Sequence, residues 1–114
     1  MKEFMMIFRS EPKAWENLSP EQMQASTKKW QDWIGGIAAQ EKFVSTNRLG
    51  FTGKTVKPNN VIIDGPYTEL KEIVGGYMVV KAKDLNEAVE MAKGCPTIDI
   101  GGHVEVRDVM EINL

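Results

Sequence analysis

The chain has 114 residues, 42% of them apolar and 26% charged, with a formal charge of −2. That length fits one domain. The charge balance offers nothing to attract nucleic acid or an anionic membrane, and no stretch approaches the roughly 18 apolar residues of a membrane span. Cys95 is the only cysteine, so no intrachain disulfide can form. That suits a reducing compartment, and the cytoplasm is the expected location.

The elements follow in chain order. Phe4 to Phe8 is apolar at both parities, which predicts a strand buried on both faces. Its five residues are too few for a signal-peptide core. Glu11 to Leu18, with Pro12, Trp15 and Asn17, reads as a loop carrying an aromatic anchor. Ser19-Pro20-Glu21-Gln22 predicts a helix start, with Ser19 and Gln22 as a capping box and Pro20 at the first helical position. Met23, Trp30, Ile34 and Ile37 then make one apolar stripe, Trp33 lies partly off it, and Gly35-Gly36 weakens the last turns.

A weaker extended stretch covers Asn47 to Phe51. Thr55 to Lys57 and Val61 to Ile63 flank Pro58-Asn59-Asn60 as a small hairpin. Gly75 to Val80 is another strand apolar on both faces. Asp84, with Glu87 three residues on, predicts a second helix with a capping box. Leu85, Ala88, Val89 and Ala92 form its expected buried face, and Gly94 and Pro96 end it. The last strand, His103 to Ile112, alternates, with Val104, Val106, Met110 and Ile112 on one parity and His103, Glu105, Arg107 and Glu111 on the other, together with Val109.

This order is a split βαβ pattern, βαββαβ with an inserted β-hairpin, and it predicts a ferredoxin-like α+β sandwich in one domain over residues 1–114. Such a sheet places the first and third core strands in the centre. Those are the two runs apolar on both faces. Two helices cover only one face, so the second face calls for a partner, and a homodimer is expected.

The densest polar chemistry lies in Asp64-Gly65-Pro66-Tyr67-Thr68-Glu69-Leu70-Lys71-Glu72, between two apolar runs. This segment resembles the signature of the DGPF group of YCII-related proteins, in which Phe or Tyr follows the proline and a Glu and then Lys-Glu come after. Leu70 stands where that signature carries a hydroxyl. Trp15, Leu18-Ser19-Pro20-Glu21, Gly75-Gly76-Tyr77, Asp84-Leu85-Asn86-Glu87-Ala88, Cys95-Pro96 and Val104-Glu105-Val106-Arg107 are similar as well, in the same order. The resemblance implies a dimeric α+β barrel. It also implies two functional settings, because some relatives are associated with alternative sigma factors and more distant ones include a lyase of chlorinated lactones that uses a His and Asp pair.

Asp64 is either a turn cap or a general base at the mouth of a cleft. Gly65 relieves backbone strain and Pro66 stiffens the turn. Tyr67, Glu69 and Lys71 are candidate ligand-binding residues, with Lys71 suited to an anionic group. His103 is the only histidine and a candidate catalytic acid, which requires Asp64 or a substrate within hydrogen-bond reach. The face it shares with Glu105 and Arg107 points either into the barrel or to water. Arg107 is a candidate ligand-binding residue, and Arg9 and Arg48 are weaker ones of the same kind. No metal-ligand spacing, nucleophile elbow, phosphate loop or dinucleotide pattern occurs, so no metal or cofactor is expected.

Three readings follow. The first is a small-molecule-binding protein with a cleft beside Asp64-Gly65-Pro66-Tyr67. The second is a lyase or isomerase with Asp64 as base and His103 as acid. The third is a ligand-free partner of a sigma-factor regulator.

Overall fold

The first apolar run forms a long strand, β1 (Lys2–Ser10), in a computed structural model that describes residues 1–16, 18–66 and 71–113, the Trp15 side chain excepted. Side chains on a strand alternate between faces, so Phe4, Met6, Phe8 and Ser10 point one way and are all buried. β5 (Ile73–Ala82) pairs antiparallel with β1, setting Met6 opposite Met78 and Phe4 opposite Val80. β2 (Phe43–Arg48) adds to the far side of β5, and β6 (His103–Asp108) to the far side of β1. The order β2-β5-β1-β6 puts the two doubly apolar strands in the centre, as the sequence pattern requires.

Two helices cover one face. α2 (Pro20–Ala39) opens on the expected capping box: Gln22 N–H donates to Ser19 Oγ at 3.1 Å, and Ser19 N–H to Gln22 Oε1 at 2.9 Å. Gly35-Gly36 does not interrupt it, because Ile34 and Ile37 dock the last turns on the core. α3 (Leu85–Ala92) is capped by Asp84, which accepts from Glu87 N–H at 2.9 Å. The reciprocal half of the expected box is made differently, since the Glu87 carboxylate accepts from Lys83 N–H and pairs with Lys42 Nζ at 2.9 Å. That ammonium holds the Glu87 carboxyl below its ordinary value against the opposing effect of burial, and the pair ties α3 to the start of β2.

The core joins Phe4, Met6, Phe8, Met78, Val80 and Ala82 of the sheet to Ile37 of α2 and to Ala88 and Ala92 of α3. Full burial of a large apolar side chain contributes roughly 1.5–3 kcal/mol. Leu85 and Val89 were expected on this face but stay exposed, because the small residues Ala88 and Ala92 let α3 lie close to the sheet. Trp33, which the stripe left aside, packs edge-to-face on Phe8 and Trp30 and donates Nε1–H to the Met91 carbonyl at 2.9 Å.

Several boundaries differ from the sequence reading. The extended stretch expected over Asn47 to Phe51 is instead β2, which ends at Arg48. The stretch expected as a loop holds a one-turn helix, α1 (Lys13–Glu16). β6 stops at Asp108, so the run to Ile112 pairs only through Val109 N–H to the Glu3 carbonyl. Residues Pro96–Ile100 form a short 3-10 helix, made possible because Pro96 bars continuation of α3.

The inserted hairpin is a separate two-stranded sheet of β3 (Lys54–Lys57) and β4 (Val61–Asp64). Asn59 and Asn60 supply the left-handed turn residues, a backbone that asparagine tolerates better than most side chains. The other face of the main sheet carries half-buried Met5, Ile7, Tyr77 and Val79, and neither helix lies on it. No helix is long and apolar enough to cross a membrane among the described residues.

Candidate functional site

Between α2 and the main sheet lies an open cavity of about 530 Å³. Phe8, Met23, Trp30, Ile34, Phe51 and Ile73 give it apolar walls. Phe8 and Trp30 meet edge-to-face with centroids 5.2 Å apart. Such pairs are held by the ring quadrupoles as well as by burial. Ser26 and Thr27 of α2 add hydroxyls, as do Ser10, Thr46 and Thr97. Thr46 Oγ1 donates to the Tyr77 carbonyl at 2.8 Å, and Thr97 is fully buried beside Cys95. Gly75 and Gly76 present backbone alone. An added Cβ at Gly76 would meet the Asn47 carbonyl at 2.8 Å and Phe8 at 3.5 Å, so the wall there has to stay bare. Arg48 stands exposed at the end of β2 on the same strand parity as Thr46, and it is the one ionisable side chain among the described lining residues.

Ile73, which lines the cavity, follows Glu72 of the signature segment directly in the chain, and Phe51, which also lines it, lies two residues before Gly53. Gly65 N–H donates to the Gly53 carbonyl at 2.7 Å. Gly65 takes φ 93°, the left-handed region where a Cβ is strained, which accounts for glycine there.

The sequence candidates are spread over three places. Asp64 ends β4 with its carboxylate exposed, 3.3 Å from Lys54 Nζ across the hairpin, and it is not a lining residue. His103 lies on the open face of the sheet, opposite Arg9 in register. Its Nδ1 sits 2.8 Å from Glu72 Oε1, so its carboxylate neighbour is Glu72 and not Asp64. Arg9 Nε meets Glu105 Oε1 at 3.3 Å beside it, and Arg107 lies farther along the same face, opposite Met5. Lys71 holds φ 68°, a left-handed turn before β5. Tyr67 and Glu69 lie outside the described residues. Cys95 is buried, which pushes its thiol pKa up and fits a packing role. No cluster of three metal-ligating side chains occurs among the described residues.

The sequence reading passed over the cavity's walls, although one signal was present. The apolar stripe of α2 skips from Met23 to Trp30, and Ser26 and Thr27 occupy the missing turn. Hydroxyls on the buried stripe of a helix mark either a polar core contact or a lined cavity, and here they line one.

The fold is shared with a 5-chloro-2-hydroxyhydroquinone dehydrochlorinase from Burkholderia phenoliruptrix, solved in complex with 2,5-dihydroxybenzoquinone. The two superpose with a TM-score of 0.56 over 92% of this chain and 90% of that one, at 13% identity. No curated protein matches the chain. The YCII-related domain profile matches residues 3–113. With nearly its full length matched, the chain belongs to the YCII-related family.

Proposed function

We propose that the chain is a small-molecule-binding protein of the DGPF group of its family, that it works as a homodimer, and that its ligand occupies the cavity between α2 and the sheet. The observation that carries this reading is the cavity itself. Its volume lies within the roughly 300–1,000 Å³ of ordinary ligand sites, and its walls are apolar with a few polar groups. Ile73, one of its lining residues, directly follows the signature segment in the chain.

The test is calorimetric titration with 2,5-dihydroxybenzoquinone, the compound bound by the structural neighbour. Saturable one-site binding is expected. Ser26→Phe places a ring in the cavity from the half-exposed side of α2, and it is expected to weaken binding by at least about 30-fold with an unchanged melting temperature. Equal affinity in the variant removes the cavity as the site.

The pairing of His103 with Glu72 favours a second reading, a lyase or isomerase. A carboxylate on one ring nitrogen fixes the imidazole's tautomer and leaves the other nitrogen to exchange a proton. In this reading His103 is the acid, Asp64 the base, and Lys71 and Arg107 hold the substrate with Tyr67 and Glu69. The test is a turnover screen of small lactones and hydroxy acids, repeated with Asp64→Asn and His103→Gln. Each substitution is expected to cut any turnover about 100-fold or more. Turnover that both variants keep eliminates the assignment.

A further inference from the structure

We infer that the hairpin of β3 and β4 is an arm that packs against a second copy of this chain. This rests on the reading of the protein as a homodimer and adds a segment to its interface. Four observations lead to it.

The first is the chemistry of the arm. Cross-strand partners share a face, so Val56 and Ile62 lie on one side of the hairpin. Val61 and Ile63 lie on the other. All four are exposed, Val56 by 68% and Ile62 by 61%. A flap folded back over its own cavity buries one side alone. Apolar side chains on both sides call for an arm enclosed between two bodies.

The second is stability. β3 and β4 form a sheet of their own, with four residues in each strand. A two-stranded hairpin in water is marginal without a third strand or a packed face. The ion pair of Lys54 with Asp64 across it is exposed and adds little.

The third is shape. The radius of gyration is 15.6 Å, against about 13 Å for a compact domain of this length. The molecule measures 47 × 44 × 19 Å. Its short dimension holds the sheet and one layer of helices, and a third layer would add about 10 Å. The hairpin therefore leaves the open face of the sheet uncovered and extends the molecule sideways.

The fourth is area. The open face is four strands wide, and its outer strands are six residues long. At about 4.8 Å between strands and about 3.3 Å per residue, its footprint is roughly 400 Å². A stable dimer buries about 800 Å² on each partner. Two arms related by a two-fold axis add apolar surface toward the difference, each copy giving one and receiving one.

The test mixes isotope-labelled and unlabelled protein in equal amounts and, after subunit exchange, records isotope-filtered nuclear Overhauser contacts. Methyl protons of Val56 and Ile62 on the labelled chain are expected to contact protons of the unlabelled one. The double variant Val56→Lys, Ile62→Lys is expected to raise the dissociation constant at least about 30-fold, with the core amide spectrum of the monomer unchanged. Interchain contacts from Met5, Ile7 and Val79 with none from the hairpin overturn the arm and leave the homodimer standing. A double variant that dimerises like the wild type does the same. A wild-type monomer in sedimentation at low micromolar concentration overturns the homodimer and the arm together.

Discussion

Met78→Ala lowers the unfolding free energy by about 3 kcal/mol, enough to threaten a domain of this size. Met78 is wholly inaccessible and sits on the central strand β5. Met6 of β1 faces it on one side and Thr46 of β2 on the other. Hydrogen-bonded strands on both flanks keep the gap from collapsing, so the lost transfer energy and the cost of the void add. The expected fall in melting temperature is on the order of 10 °C. Denaturant unfolding at fixed protein concentration measures it. Met110→Ala is the control: Met110 is 80% exposed beyond the end of β6, and its change should stay within about 0.5 kcal/mol. A loss below about 1 kcal/mol for Met78→Ala would show that this part of the sheet repacks freely.

Val79→Asp is expected to turn a dimer into a folded monomer. Val79 points away from both helices, directly opposite Met5, with Ile7 and Tyr77 beside it. These side chains are only half-buried in the single chain, so an aspartate there costs the monomer little. The same carboxylate packed against an apolar partner costs several kcal/mol. The rim of this face carries Arg9 with Glu105, His103 with Glu72, and Arg107, both signs of charge around an apolar centre. A second copy related by a two-fold axis matches such a surface with itself. Sedimentation at low micromolar concentration should give a dimer for the wild type and a dissociation constant raised at least about 100-fold for Val79→Asp. A wild-type monomer under those conditions contradicts the dimer, as does a variant that stays dimeric.

The sheet was legible because its central strands are apolar at both parities, a pattern that only a strand buried on two sides requires. The capping box at Ser19 and the hairpin around Asn59-Asn60 were legible because each rests on local backbone chemistry. What failed was whatever depends on distance between elements. Leu85 and Val89 follow a helical period yet face outward, since the closeness of α3 to the sheet is set by Ala88 and Ala92. The partner of His103 could not be read from spacing, because the chain brings Glu72 to it from 31 residues away. Arg48 ranked in the sequence only as a weaker ligand-binding candidate beside Arg9. Its placement depends on the register of β2 against β5, which sets it opposite Gly76 and on the helix side of the sheet.

A nuclear magnetic resonance titration of isotope-labelled protein with 2,5-dihydroxybenzoquinone tests the ligand site most directly. Binding in the cavity predicts saturable shifts of the backbone amides of Ser26, Trp30, Arg48, Leu49 and Ile73 and of the Trp30 indole N–H. Shifts confined to the hairpin around Asp64, or to His103, Glu105 and Arg107 on the open face, with the cavity amides unmoved, would contradict it.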